Sequence, residues 1–154
     1  MKQQHIISVL DKQKSILIIV LVASFASFIA LIYQTYLYYL EGYCGCTENS
    51  IFETYSVIWG IPVSLIGSIG VAITITFSLY FLSIFSRETS FSEKYNFHLA
   101  RFWAIYQLIS ILIVFNMMYI AYILAHGFCE LCSISQLAGI MNFILVMKFY
   151  SKIK

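Results

Sequence analysis

The sequence predicts an all-α integral membrane protein, a four-helix bundle with a short external amphipathic helix in the loop between helices one and two. Three observations predict it. Hydrophobic residues make up 61% of the 154-residue chain and charged residues only 10%, where soluble domains carry about a quarter charged. Mean hydropathy is +0.87. The apolar residues also fall in four long runs, each reaching the roughly 20 residues that a membrane span needs. The same composition excludes a disordered chain and most soluble enzymes. One Pro and seven Gly exclude collagen-like or linker composition, and a net charge of +2 offers no basic surface to a nucleic acid.

Helix one is expected at about 15–40. It is too long for the apolar region of a cleaved signal peptide, about 7–15 residues, and reads as a retained anchor. Its continuous run Ile16-Leu17-Ile18-Ile19-Val20-Leu21-Val22 lacks the alternation of a barrel strand. Helix two is expected at 63–86, with Pro62 fitting its first turn, helix three at 102–124 and helix four at 129–148. The pieces between are too short to build a core of their own, so the whole of 1–154 reads as one membrane domain. Chemistry must then sit on the helices or in the 41–62 loop.

That loop carries the external helix. Ser50 and Glu53 match a capping box. Ile51, Phe52, Tyr55, Ile58 and Trp59 then share one helical face, and Gly60 ends it. The segment is too short to span. It is expected to lie flat over the bundle mouth, with Trp59 at the membrane interface and a pocket beneath it near Cys132.

Charge orients the bundle. Lys2, Lys12 and Lys14 precede helix one, Arg87, Lys94 and Arg101 lie between helices two and three, and Lys148, Lys152 and Lys154 close the chain. Four spans put all nine on one face. The other face carries only the acids Glu41, Glu48, Glu53 and Glu130. Basic residues accumulate on the cytoplasmic side, so the sequence predicts a multi-pass cell-membrane protein with both termini cytoplasmic and the 41–62 loop outside.

All four cysteines fall on the predicted external face: Cys44 and Cys46 in the loop, Cys129 and Cys132 at the outer end of helix four. Disulfides persist on that side. One reading is two static disulfides, or one static disulfide bridging the loop to helix four. The other is exchange chemistry, because Cys-x-x-Cys at a helix start places two sulfurs within disulfide reach. The unpaired N–H groups of the helix start stabilise a thiolate, more at Cys129 than at Cys132. Glu130 opposes this, and His126 is either a cationic helper or an interfacial residue without a role. A Cys44–Cys46 bond would close a small, strained ring that is easily reduced.

No Asp, Glu, Lys or Arg lies deep in a span, which argues against a pump, channel or secondary transporter. Gln34, Gln107, Asn116, Gln136 and Asn142 are the polar exceptions and read mostly as interhelical hydrogen-bond glue. Gln136, one turn after Cys132, is also placed to bond a ligand oxygen. Ser64, Gly67, Gly70 and Thr74 form a small-residue packing face on helix two. Some of Tyr33, Tyr36, Tyr39, Phe115 and Tyr119 are candidates for lining an apolar cleft.

Together these motifs resemble the vitamin K epoxide reductase family in its short bacterial form. The resemblance rests on the cysteine loop after helix one, on the Tyr55-Ser56-Val57-Ile58-Trp59-Gly60-Ile61-Pro62-Val63-Ser64-Leu65-Ile66-Gly67 entry into helix two, and on Gly127-Phe128-Cys129-Glu130-Leu131-Cys132-Ser133-Ile134-Ser135. It implies an enzyme, a quinone-dependent disulfide oxidoreductase that re-oxidises a secreted or membrane-anchored thioredoxin-like protein and supports disulfide formation. By that resemblance Cys132 faces the quinone, Cys129 receives electrons from the loop, Cys46 bonds transiently to Cys129, and Cys44 meets the partner. Gln136, Ser133 and Trp59 are the expected quinone contacts. Two departures stand out. Only Gly45 separates the loop cysteines, and Val63-Ser64 and Ser135-Gln136 stand where vertebrate members carry an Asn and a Tyr that bond the quinone. Menaquinone or ubiquinone is therefore the expected acceptor rather than vitamin K epoxide. The competing reading from the residues alone is a membrane protein holding Zn²⁺ or Cu(I) on cysteine thiolates. No ladder of Cys, His or Met crosses the bilayer to support it, and the expected site holds no metal.

Overall fold

The computed structural model describes residues 2–41, 57–86, 93–124 and 130–153, with side-chain environments for 12–40, 57–84, 97–120, 122–123 and 131–152. Four helices account for nearly all of it: α1 (Lys2–Glu41), α2 (Val63–Ser86), α3 (Glu93–Tyr119) and α4 (Glu130–Ile153). Each contains a stretch long and apolar enough to cross a membrane, namely Lys12–Leu40, Val63–Ile84, Phe97–Tyr119 and Leu131–Lys152. The helices α1, α3 and α4 run past the expected spans. Helical hydrogen bonding continues into the polar flanks, where apolar counting has nothing to register.

Two strands, β1 (Val57–Ile58) and β2 (Ile61–Pro62), pair antiparallel ahead of α2, with Val57 opposite Pro62 and Ile58 opposite Ile61. This corrects the expected amphipathic helix at its C-terminal end. Trp59 and Gly60 both have positive φ, 52° and 79°. That pair of left-handed residues makes the tight reversal of a two-residue hairpin, which a helix cannot contain. The rest of the expected helix, 50–56, lies outside the described residues. A second departure follows Tyr119, where five residues, Ile120–Leu124, form a π-helical turn in place of the last turn of α3.

Around the bundle α1 lies between α2 and α4, α4 also packs on α3, and α2 and α3 meet only sparsely. The end away from the hairpin is filled. Trp103 stacks between Phe77 (5.9 Å, 15°) and Phe81 (5.5 Å, 16°), and Phe149 meets Phe81 and Trp103 near edge-on. Ile16, Leu17, Val20, Ala100 and Val146 close the cluster. Large apolar side chains such as Ile29, Ile69, Leu112 and Leu137 point outward, as lipid-facing surface does.

Lipid is as apolar as leucine, so small residues and polar pairs must help hold membrane helices together, each pair adding about 0.6 kcal/mol and rarely more than about 1.7. Several such pairs glue the bundle, among them Asn142 Nδ2 donating to Ser24 Oγ (3.0 Å), Gln107 Nε2 donating to Thr74 Oγ1 (2.9 Å), and the Thr35 and Ser64 hydroxyls, which share a bond of 2.9 Å. Gln107 and Asn142 thus act as their sequence context suggested. Asn116 is exposed.

Candidate redox site

The end of the bundle that carries the hairpin is hollow. A cavity of about 460 Å³ lies between all four helices, within the range of small-molecule sites. Helix periodicity supplies its walls. On α1 the lining residues are Ser27, Leu31 and Gln34, and on α4 they include Cys132, Ser135, Gln136, Gly139 and Asn142. These recur every three or four residues, one face of each helix. From α2 come Val63 to Thr74 on the small-residue face, and from α3 Tyr106 to Met117. The face of Ser64, Gly67, Gly70 and Thr74 therefore does more than pack: its small side chains leave the hollow open.

Gly70 shows how. The Tyr106 hydroxyl donates to the Gly70 carbonyl at 2.7 Å, and a Cβ on Gly70 would stand 2.9 Å from that oxygen. The tyrosine can cross to α2 only where there is no side chain. Opposite it, a Cβ on Gly139 would meet Val114 at 3.2 Å, so both glycines set the cavity's width.

Cys132 lies at the hairpin end of this cavity, one turn into α4, half-buried. Gln34 reaches it from α1. Its side-chain nitrogen donates to Cys132 Sγ at 3.1 Å, and the side chain is 3% exposed. The sequence placed Gln34 among helix-bonding amides, and it does join two helices. Its acceptor, however, is the Cys132 sulfur. Depth could have suggested this: Gln34 sits six residues before the end of the first span and Cys132 near the start of the fourth, so at about 1.5 Å per residue both lie near the same end of the bundle.

Gln136 lines the cavity one turn below Cys132, 8% exposed, with Oε1 buried and unpaired. Asn142 lines its deep end with Oδ1 likewise unpaired. A buried amide oxygen without a donor costs about 1–3 kcal/mol, a cost that a ligand group can relieve. The walls are otherwise mostly aliphatic, which suits a flat apolar ring bearing a few oxygens. The residues present therefore fit a quinone head group: the Gln136 amide N–H would donate to a ring carbonyl, and Oε1 would accept from a hydroxyl of the reduced form.

The other expected contacts lie elsewhere. Ser133 is not among the lining residues. Its hydroxyl shares a 2.7 Å bond with Tyr122 in the π-helical turn, tying the end of α3 to the start of α4. Trp59 stands at the hairpin tip, 98% exposed, and does not line the cavity. Tyr33, Tyr36, Tyr39, Phe115 and Tyr119 all face outward. Cys44, Cys46, Cys129 and His126 lie outside the described residues, as does the side chain of Glu130. Among the described residues no group of three or more His, Cys, Asp or Glu gathers.

No curated protein and no solved structure matches the chain. The profile of the vitamin K epoxide reductase family does match, over residues 14–147, and with four membrane-length helices and Cys132 at the mouth of an apolar cavity, the chain belongs to that family of membrane oxidoreductases.

Proposed function

We propose that the protein is a membrane thiol–disulfide oxidoreductase that oxidises a thioredoxin-like partner outside the cell and delivers the electrons to a membrane quinone. The observation that carries this reading is the pairing of Cys132 with a hollow, largely aliphatic chamber in which the Gln136 oxygen has no hydrogen-bond partner among the described residues. The sorting of Lys and Arg to the opposite end supports an outward-facing hairpin end with both termini cytoplasmic.

In this reading electrons pass from the partner dithiol to Cys44 and Cys46, and from there to Cys129 and Cys132. Each step is thiolate attack on a disulfide sulfur, with the leaving thiolate taking up the proton lost by the attacking thiol. A bound quinone supplies the two-electron, two-proton acceptor that turns the Cys129/Cys132 dithiol into its disulfide. Gln136 orients the ring: its amide N–H would donate to a ring carbonyl, and its Oε1 would accept from a hydroxyl of the reduced ring. The aliphatic walls exclude water, and Gly70 and Gly139 keep the slot wide enough for a ring. Menaquinone and ubiquinone both meet these requirements.

The test is quinone reduction by the full chain in liposomes, driven by a reduced thioredoxin-like protein. Cys132→Ser is expected to bring turnover to background, a loss of at least about a hundredfold. Unchanged turnover in that variant would sink the reading.

A further inference from the structure

Gln34 has a consequence for the reactivity of Cys132. Its amide is almost wholly buried, comes from a different helix, and donates to the sulfur at 3.1 Å. The backbone behind it is pinned. Thr35 donates to the Leu31 carbonyl (2.8 Å) and accepts from Ser64 on α2 (2.9 Å), so α1 is fixed at this level against α2. A donor aimed at sulfur favours the thiolate over the thiol, because the thiolate is much the stronger acceptor. In a water-poor site such a bond is stronger than at a surface.

Resting on the reading of Cys132 as a redox cysteine, we propose that Gln34 is a positioning residue that holds the Cys132 sulfur and stabilises its thiolate. The juxtaposition of the Gln34 amide with that sulfur, across the α1–α4 interface, is what points to it.

The surroundings leave this role to an amide. Among the described residues lining the cavity, only Tyr106 and Cys132 titrate, and none carries a fixed charge. Beyond the cavity, Tyr119 ends α3 and faces outward, and the Tyr122 hydroxyl in the π-helical turn is bonded to Ser133. Cys129, Glu130 and His126 precede Cys132 in sequence and are outside the described side chains. Glu130 and His126 stay constant in the variants below. Gln34 stabilises negative charge on sulfur without placing a formal charge in the membrane, where one is costly.

The test uses the full chain in liposomes with Cys44, Cys46 and Cys129 replaced by Ser, leaving Cys132 as the one thiol. Iodoacetamide alkylation is followed at pH 7 and at pH 10. Gln34→Leu removes the donor and keeps the bulk, whereas Gln34→Glu keeps the shape and replaces the donor by an acceptor. Both are expected to slow alkylation about tenfold at pH 7 and to leave the rate at pH 10 within about twofold, since a bond to a charged group is worth a factor of ten or more. In the chain with all four cysteines, the same changes lower kcat for quinone reduction and leave KM for the quinone unchanged. If Gln34→Leu fails to insert, Gln34→Glu alone decides. Equal rates at pH 7 in a folded variant overturn the proposal. So does an equal slowing at both pH values, which reports lost access. The alkylation requires no quinone, so it fails or succeeds independently of the proposed electron acceptor.

Discussion

At the scale of single residues, the site is defined by which polar atoms have partners inside the fold. Gln107 and Asn142 nitrogens are spent on Thr74 and Ser24, whereas the Gln136 and Asn142 oxygens have no hydrogen-bond partner among the described residues. Gln136→Leu is therefore expected to leave thermal stability unchanged or slightly higher, because it removes a buried acceptor that no residue satisfies. The same change should raise KM for a quinone roughly tenfold, read by titrating quinone at saturating partner. Cys132 and Gln136 could be picked out as cavity candidates from type and spacing alone, a Cys-x-x-Cys motif with an amide one turn on, and both line the cavity. Gln34 was legible only as a buried amide. Its partner lies 98 residues away, and no local pattern encodes which helix faces which. Ser133 was misleading for the opposite reason: adjacency to Cys132 in sequence puts it about 100° around the helix, toward Tyr122 and away from the hollow.

At the scale of elements, the four helices were legible because lipid imposes one rule, a long unbroken apolar run. The hairpin was not. Residues 51–59 carry a helical spacing of apolar positions, yet Val57 and Ile58 extend and pair across a Trp59-Gly60 turn. Two signals compete there, periodicity against the β-branched residues flanking a Gly, and in a segment this short the turn prevails. The turn makes its own prediction. Gly60 has a φ of 79° with open space around it, so Gly60→Ala acts through backbone strain alone. It should cost about 1 kcal/mol, seen as a lower melting temperature in detergent. Trp59 already bears such strain at φ 52°. Trp59→Asn should be neutral or stabilising in detergent, since Asn tolerates that conformation. If Trp59→Asn destabilises the protein in detergent as much as Gly60→Ala does, the strain account of this turn is wrong.

At the scale of the whole molecule, the bundle divides its length between two tasks. One half is filled by stacked aromatics and the other is left hollow by glycines, serines and threonines. Phe81→Ala, in the filled half, should cost about 3–5 kcal/mol and lower the melting temperature sharply, while KM for quinone stays near its original value. A short-chain quinone at a hundred times its dissociation constant should stabilise the wild type by about 2.7 kcal/mol, and the Gln136→Leu variant by markedly less at the same concentration. That division was partly written in the chain: small residues collect on one face of the second span, and bulky rings recur in its last third. What the sequence lacked was the pairing of faces, which is fixed only when four helices choose neighbours. The sparse meeting of α2 and α3 follows from that choice. Ile66, Ile69 and Ile73 on one side and Ile109 and Ile113 on the other both line the cavity and are exposed on the bundle surface, so the chamber has a seam toward the acyl chains. A ligand arriving there never crosses the aqueous phase. Its occupancy is governed by its mole fraction in the bilayer, and an apparent KM quoted per volume of buffer should rise in proportion as detergent or lipid is added at fixed total quinone.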